Sequence, residues 1–192
     1  MAFVVVYDAC VLYPAPLRDL LIRIARKGLV RAKWTDEILD ECFRSILANE
    51  PERKSESLRR TRELMNLAVA DCLVAGYEDL VESIKLPDPN DRHVVAAAVR
   101  CGAQVIVTAN LDDFPKESLA AFELEAVHPD DFVLDCLDLS AAAVLAAVRE
   151  QAASLKRPPM SVAEVMEKLQ ANGLAQSVAK MRELGGAGGA AG

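Results

Sequence analysis

Oxygen donors, rather than imidazoles or thiolates, carry whatever chemistry this sequence can do. There are only two histidines, His93 and His128, and five cysteines, Cys10, Cys42, Cys72, Cys101 and Cys136, which lie far apart with no C-x-x-C pair. That excludes a His-rich metal site, leaves a Ser-His-Asp or Cys-His arrangement little to draw on, and fits reduced thiols in a core. The acids are placed more suggestively. Asp8 directly follows the run FVVVY, Asp88 and Asp91 bracket Pro89 and Asn90 just ahead of VVAAAV, and Thr108, Asn110, Asp112 and Asp113 come at and after the end of QVIVT. If such acids meet, each pair within about 4 Å costs on the order of 1 to 4 kcal/mol at water-like to surface-like dielectric unless a cation offsets it. An oxygen-rich site of that kind suits Mg²⁺ or Mn²⁺. Each acid also has a plainer use: Asp8 in a strand-end turn, Asp88 or Asn90 as a helix cap, and Asp91 in a first helical turn favoured by the helix dipole.

The elements around these residues decide whether they meet. FVVVY at 3–7 and QVIVT at 104–108 are continuous β-branched runs, the pattern of strands buried on both faces of a parallel sheet. Shorter strands are expected at 29–33, 72–74 and 124–127. Between them the apolar spacing predicts helices: one through Leu17, Leu20, Leu21 and Ile24, one capped by Thr35, one over 55–69, a turn at 77–84, and one over 92–101 stopped by Gly102. Strands alternating with helices make an α/β fold with a parallel sheet, whose functional crevice lies at the carboxyl ends of the strands. Asp8 and the Thr108–Asp113 stretch leave two such ends, and Asp91 opens the helix before the second.

From 130 onward the pattern is helical only, with helices at 130–136 and 140–156, a break at RPP (157–159), and one or two more from Ser161 to Leu184. The expected organisation is a domain over 1–130, a helical appendage over 131–184 and a flexible Gly/Ala tail over 185–192. The 52% apolar content of 192 residues suffices for a compact core. No run approaches a membrane span, and MAFVVVYDAC is interrupted too soon for a signal peptide, so an intracellular, cytoplasmic protein is expected. The net charge of −7 advertises no polyanionic partner, so any such partner needs a local basic face. Arg44, Arg53, Lys54, Arg59, Arg60 and Arg62 form a basic stretch, with Arg18, Arg23 and Arg92 candidates at the crevice; pairing with Glu52, Glu56 and Glu63 is the plainer reading of the stretch.

The segments VVYDACVLYPAPLRDLLIRIA, TDEILDECFRSIL and LPDPNDRHVVAAAVRCGAQVIVTANLDDFP, in that order and spacing, resemble the PIN domain family of metal-dependent ribonucleases, which includes the VapC toxins of bacterial toxin–antitoxin pairs. The resemblance spans about residues 3–130, and the helices after HPDDF resemble the C-terminal extension of a VapC-like subgroup. It implies a three-layer α/β/α fold and an endoribonuclease that uses Mg²⁺ or Mn²⁺, inhibited by a cognate antitoxin and often a homodimer. It puts family acids on Asp8, Glu41 and Asp91, with a fourth in the TANLDD stretch. The acid cluster and the resemblance together lead to Asp8, Glu41, Asp91 and Asp112 as the expected catalytic acids, Asp8, Asp91 and Asp112 on the metal, Asp88, Thr108, Asn110 and Asp113 in support, and, among the basic residues, Arg18, Arg44 and Arg92 toward RNA. Two features temper it. Helical periodicity does not select Glu41, which falls roughly 60° outside its helix's apolar stripe while Asp36, Glu37 and Asp40 compete. Asn110 stands where the family usually carries an aspartate, so either Asp112 takes over or the metal is held more weakly. A PIN-fold binding module without strong metal binding is the alternative. A haloacid-dehalogenase-like phosphatase would want D-x-D after the first strand, where this chain has Asp8-Ala9-Cys10.

Overall fold

The computed structural model describes residues 2–187. At its centre, β1 (Phe3–Tyr7), β2 (Val30–Lys33), β3 (Val105–Val107) and β4 (Glu125–Val127) pair all-parallel in the order β2-β1-β3-β4. In β1, Val6 and Tyr7 point to opposite faces and both are fully buried, which is why the run is apolar without alternation. The expected strand at 72–74 is a single parallel bridge, Trp34 to Leu73, that adds one step beyond β2.

The chain leaves β1 toward β2 on one side and later returns to β3 on the other, so the strand order reverses between β1 and β3. That reversal opens a crevice at the strands' carboxyl ends. The ladder carries both flanks into it: Asp8 N–H donates to the Val107 carbonyl (3.1 Å) and Thr108 N–H to the Val127 carbonyl (3.0 Å).

After β1 come a short α1 (Ala9–Leu12) and α2 (Ala15–Arg26). After β2, α3 (Asp36–Asn49) starts at the Thr35 cap, whose hydroxyl accepts from Ile38 N–H (3.0 Å), followed by α4 (Ser55–Ala68) and α5 (Glu78–Val81). A 3-10 turn over Pro89–Asp91 leads into α6 (Arg92–Cys101), which ends at Gly102 in the left-handed conformation (φ 65°). A second 3-10 turn (Leu111–Asp113) and α7 (Lys116–Leu119) join β3 to β4. All five cysteines are free, with Cys42, Cys72 and Cys136 buried.

The C-terminal helices are α8 (Pro129–Ser154), α9 (Val162–Ala171) and α10 (Ala175–Ala187). Within α8, Ser140 is extended (φ −161°) and its hydroxyl accepts from Ala143 N–H, so the two helices expected there are two, joined at a kink. The segment expected as an appendage is built into the core. Phe132 meets the Tyr7 ring edge-on at 5.9 Å, the Tyr7 hydroxyl donates to the Leu21 carbonyl of α2, and α8 lies along α2. One helical layer is therefore α2 with α8, and α6 against β1 and β3 supplies another, giving three α/β/α layers. The flexible tail expected at 185–192 begins instead as the last residues of α10, and 188–192 lie outside the described residues. Among the described residues no helix is long and apolar enough to cross a membrane.

Candidate functional site

Asp8 is the most constrained acid in the crevice. It is 4% exposed; one carboxylate oxygen accepts from Ala9 N–H (2.7 Å), the other from the Thr108 hydroxyl (2.8 Å) and the Cys10 thiol (3.1 Å). Burial raises its pKa against the lowering effect of those donors, and Glu41 adds to the rise. Cys10 joins both flanks of the crevice, since its sulfur also lies 3.4 Å from the Thr108 oxygen and accepts from Ala109 N–H (3.2 Å). Burial, then the Asp8 charge, pushes this thiol up to about 12, so it stays protonated at neutral pH. Asn110 contributes its backbone, donating N–H to the Thr108 oxygen (3.1 Å).

At the start of α6 Asp88 and Asp91 differ in use. Asp88 caps the preceding 3-10 turn by accepting from Asn90 N–H (2.9 Å), whereas the Asp91 side chain makes no capping bond although it occupies the N-cap position. Burial and then the charges of Asp8, Asp113, Asp88 and Glu41 push Asp91 up to about 6. Asp8, Asp91, Asp113 and Glu41 thus face one region. Asp112, expected on the metal, is exposed, whereas Asp113 is half-buried and is among the charges that raise Asp91.

The α3 acids separate into two rows one turn long. Asp36 and Asp40 both turn to Arg62 of α4, while Glu37 and Glu41 face α6, with Glu37 accepting from the Tyr77 hydroxyl (2.9 Å). Glu41 lies 3.6 Å from His93 Nε2, and Glu37 lies 3.8 Å from Nδ1. Burial pulls His93 down, but Glu41, Glu37 and Asp8 raise it above its ordinary value overall. Neither His93 nor Cys10 stood out in the sequence. Their only signal was adjacency to Asp91 and Asp8.

The arginines divide as well. Arg18, expected toward RNA, is buried: its guanidinium donates to the Leu12 (2.6 Å) and Tyr13 (3.1 Å) carbonyls at the end of α1, and so ties α1 to α2. The basic stretch is spent on neighbours, Arg53 on Glu50, Arg59 on Glu56 and Glu63, Arg60 on Glu63 and Arg62 on Asp36 and Asp40. Arg92 is half-buried beside Asp91 with its Nε unpartnered, and Arg44 is exposed with no ion-pair partner among the described residues.

The donor set is therefore hard, anionic and uncompensated. Among the described residues none of Asp8, Asp91 or Asp113 pairs with a lysine or arginine, which is the charge environment a divalent cation would relieve. As they stand, no three His, Cys, Asp or Glu side chains among the described residues are grouped closely enough to hold a metal ion. The donor chemistry fits a divalent cation, and side-chain rotation toward a common centre is what binding would require.

A model of the PIN domain matches residues 4–112, and one described as the VapC50 C-terminal domain matches residues 129–183. The chain is 40% identical over 109 residues to "Putative ribonuclease VapC50" of Mycobacterium tuberculosis (strain ATCC 25618 / H37Rv), a match that covers 57% of this chain and 63% of that relative. The match therefore spans just under two thirds of the relative's length. No solved structure matches.

Proposed function

Because the chain belongs to the PIN domain family, we propose that it is an endoribonuclease that hydrolyses RNA phosphodiesters with Mg²⁺ or Mn²⁺. The observation that carries this reading is Asp91, an acid at a helix start that does not cap it and is crowded by four others. Likeness over 109 residues to a protein named as a ribonuclease supports the same class of substrate.

In this reading Asp8, Asp91 and Asp113 hold the metal, with Asp113 in the role the sequence suggested for Asp112. When bound, the metal lowers the pKa of water and offsets charge building on the phosphate oxygens. Thr108 and Cys10 keep the Asp8 carboxylate fixed, and Glu41 orients the attacking water. Arg92 and Arg44 border the path of the anionic substrate, Arg18 having been withdrawn into the core. Phosphoryl transfer asks for placement and positive charge rather than a protein nucleophile, which suits a site whose one thiol stays protonated.

The reading extends to a toxin held inactive in the cytoplasm by a cognate antitoxin over the acidic crevice, and to a homodimer. The second reading, a PIN-fold module that binds a partner without strong metal affinity, draws on Asn110 and on the open spacing of the acids. One experiment separates them: mixed cellular RNA is incubated with the purified chain in Mn²⁺ or Mg²⁺, beside EDTA and Asp8→Asn controls. Discrete fragments lost in both controls support the nuclease. No fragments, together with no Mn²⁺ binding, would move the assignment to the binding module.

A further inference from the structure

We infer that His93 is a positioning residue that holds the Glu41 carboxylate over the acid cluster, an inference that deepens the metal-site reading above and rests on it. The imidazole is 6% exposed and lies between two carboxylates one turn apart on α3, Nε2 3.6 Å from Glu41 and Nδ1 3.8 Å from Glu37. Its Nδ1 is buried with no hydrogen-bond partner among the described residues. Burying an imidazole nitrogen unpaired is unfavourable, so its presence among Val94, Val95 and the alanines of α6 calls for a return elsewhere.

Glu41 is where that return is found. Glu37 is already engaged by the Tyr77 hydroxyl, whereas no hydrogen bond among the described residues fixes the Glu41 side chain, which is 45% exposed and stands off the apolar stripe of α3. A free glutamate loses rotamer entropy each time it is brought over the site, and a ring N–H within a small rotation of its carboxylate removes part of that loss in advance. The imidazole carries at least one N–H in either protonation state, so the role does not depend on its charge. The same contact answers why a glutamate that periodicity would send to solvent is turned toward the crevice: the direction is set across the α3–α6 interface.

The test uses the full chain with Mn²⁺ alone as probe, bound Mn²⁺ being read from loss of the free-ion electron paramagnetic resonance signal. His93→Leu should weaken Mn²⁺ binding about tenfold by loosening Glu41, which would hold the metal's water rather than the metal itself; that is the lower end of what losing an outer partner of a metal site does, and His93→Gln should recover most of it. In a Glu41→Ala background, where no acceptor is left for the imidazole N–H, His93→Leu should add nothing. A second cycle on the same four proteins, read as urea midpoints in EDTA, should be non-additive as well. Multiplying effects on Mn²⁺, additive urea shifts, or no recovery by glutamine would overturn the inference. Were the wild type to take up no Mn²⁺, the metal reading would fall, and the urea cycle in EDTA would still decide whether His93 and Glu41 are coupled.

Discussion

Asp112 and Asp113 are neighbours in sequence, yet Asp112 is exposed and Asp113 half-buried. A 3-10 turn over Leu111–Asp113 advances about 120° per residue, so consecutive side chains cannot share a face, and the proposed site takes the more buried of the two, Asp113. Asp113→Asn should therefore lower metal-dependent cleavage at least about tenfold, whereas Asp112→Asn should stay within about threefold of wild type as an exposed substitution. The opposite ranking on a common RNA would return the role to Asp112. Cys10 gives a second comparison. Serine keeps a donor for the Asp8 carboxylate, so Cys10→Ser should cleave within about threefold of wild type, while Cys10→Val, which removes that donor, should lose roughly tenfold. If serine proved as inactive as valine, the thiol would be doing more than donating. At this scale the sequence exposed Asp8 and Asp91 because each follows a boundary between an apolar run and a turn. It left Arg18 unreadable, since nothing local says that a guanidinium will find the carbonyls at the end of α1 instead of solvent.

Elements were legible where burial is one-sided in kind. FVVVY and QVIVT read as central strands because both faces are covered, and Thr35 announced α3 because its hydroxyl has an orphan N–H to satisfy. Which face of α3 points where was not legible, since Asp36/Asp40 and Glu37/Glu41 are equally spaced and only α4 and α6 tell them apart. The same holds for Asp130. It lies in the first turn of α8, where an acid is unremarkable, but it is 5% exposed and accepts from the N–H groups of Gln176 (2.9 Å) and Ser177 (2.8 Å) and from the Ser177 hydroxyl (2.6 Å), so it caps the start of α10 from across the chain. Asp130→Ala leaves those donors buried without an acceptor and should destabilise the fold by about 3 kcal/mol, given roughly 1–3 kcal/mol for each such loss and partial relaxation. The exposed neighbour is the control: Asp131→Ala should change stability by no more than about 0.5 kcal/mol. Equal urea midpoints for the two variants would show that α10 does not depend on this cap.

For the whole molecule, the question is whether the C-terminal helices are a passenger or part of the fold. Sequence could not answer it, because helical spacing of Leu, Val and Met looks the same on an appendage as on a helix that closes a core. The structure answers through contacts between distant residues: Gln151 Nε2 donates to the Pro16 carbonyl, Lys27 pairs with Glu150, and Arg23 donates to the Ser154 hydroxyl, all between α8 and α2. More weight lies in apolar burial. Phe132, Val133, Cys136, Leu137, Val144, Ala147 and Val148 are all at or below 5% exposure. At about 1.5–3 kcal/mol for each larger apolar side chain, their removal forfeits on the order of 10 kcal/mol, and it uncovers the partner surface on Tyr7 and α2 as well. A domain of ordinary stability holds only about 5–15 kcal/mol in total. A chain ended after His128 keeps every acid of the crevice, including Asp8, Glu41, Asp91 and Asp113, and yet should fail to fold cooperatively. Circular dichroism against urea would show a broad, featureless transition, and limited proteolysis would cut within α2. A sharp transition from that shortened chain, with Mn²⁺ uptake equal to the full chain, would mean that the sheet and its other helices suffice, and that α8 lies on a core already complete without it.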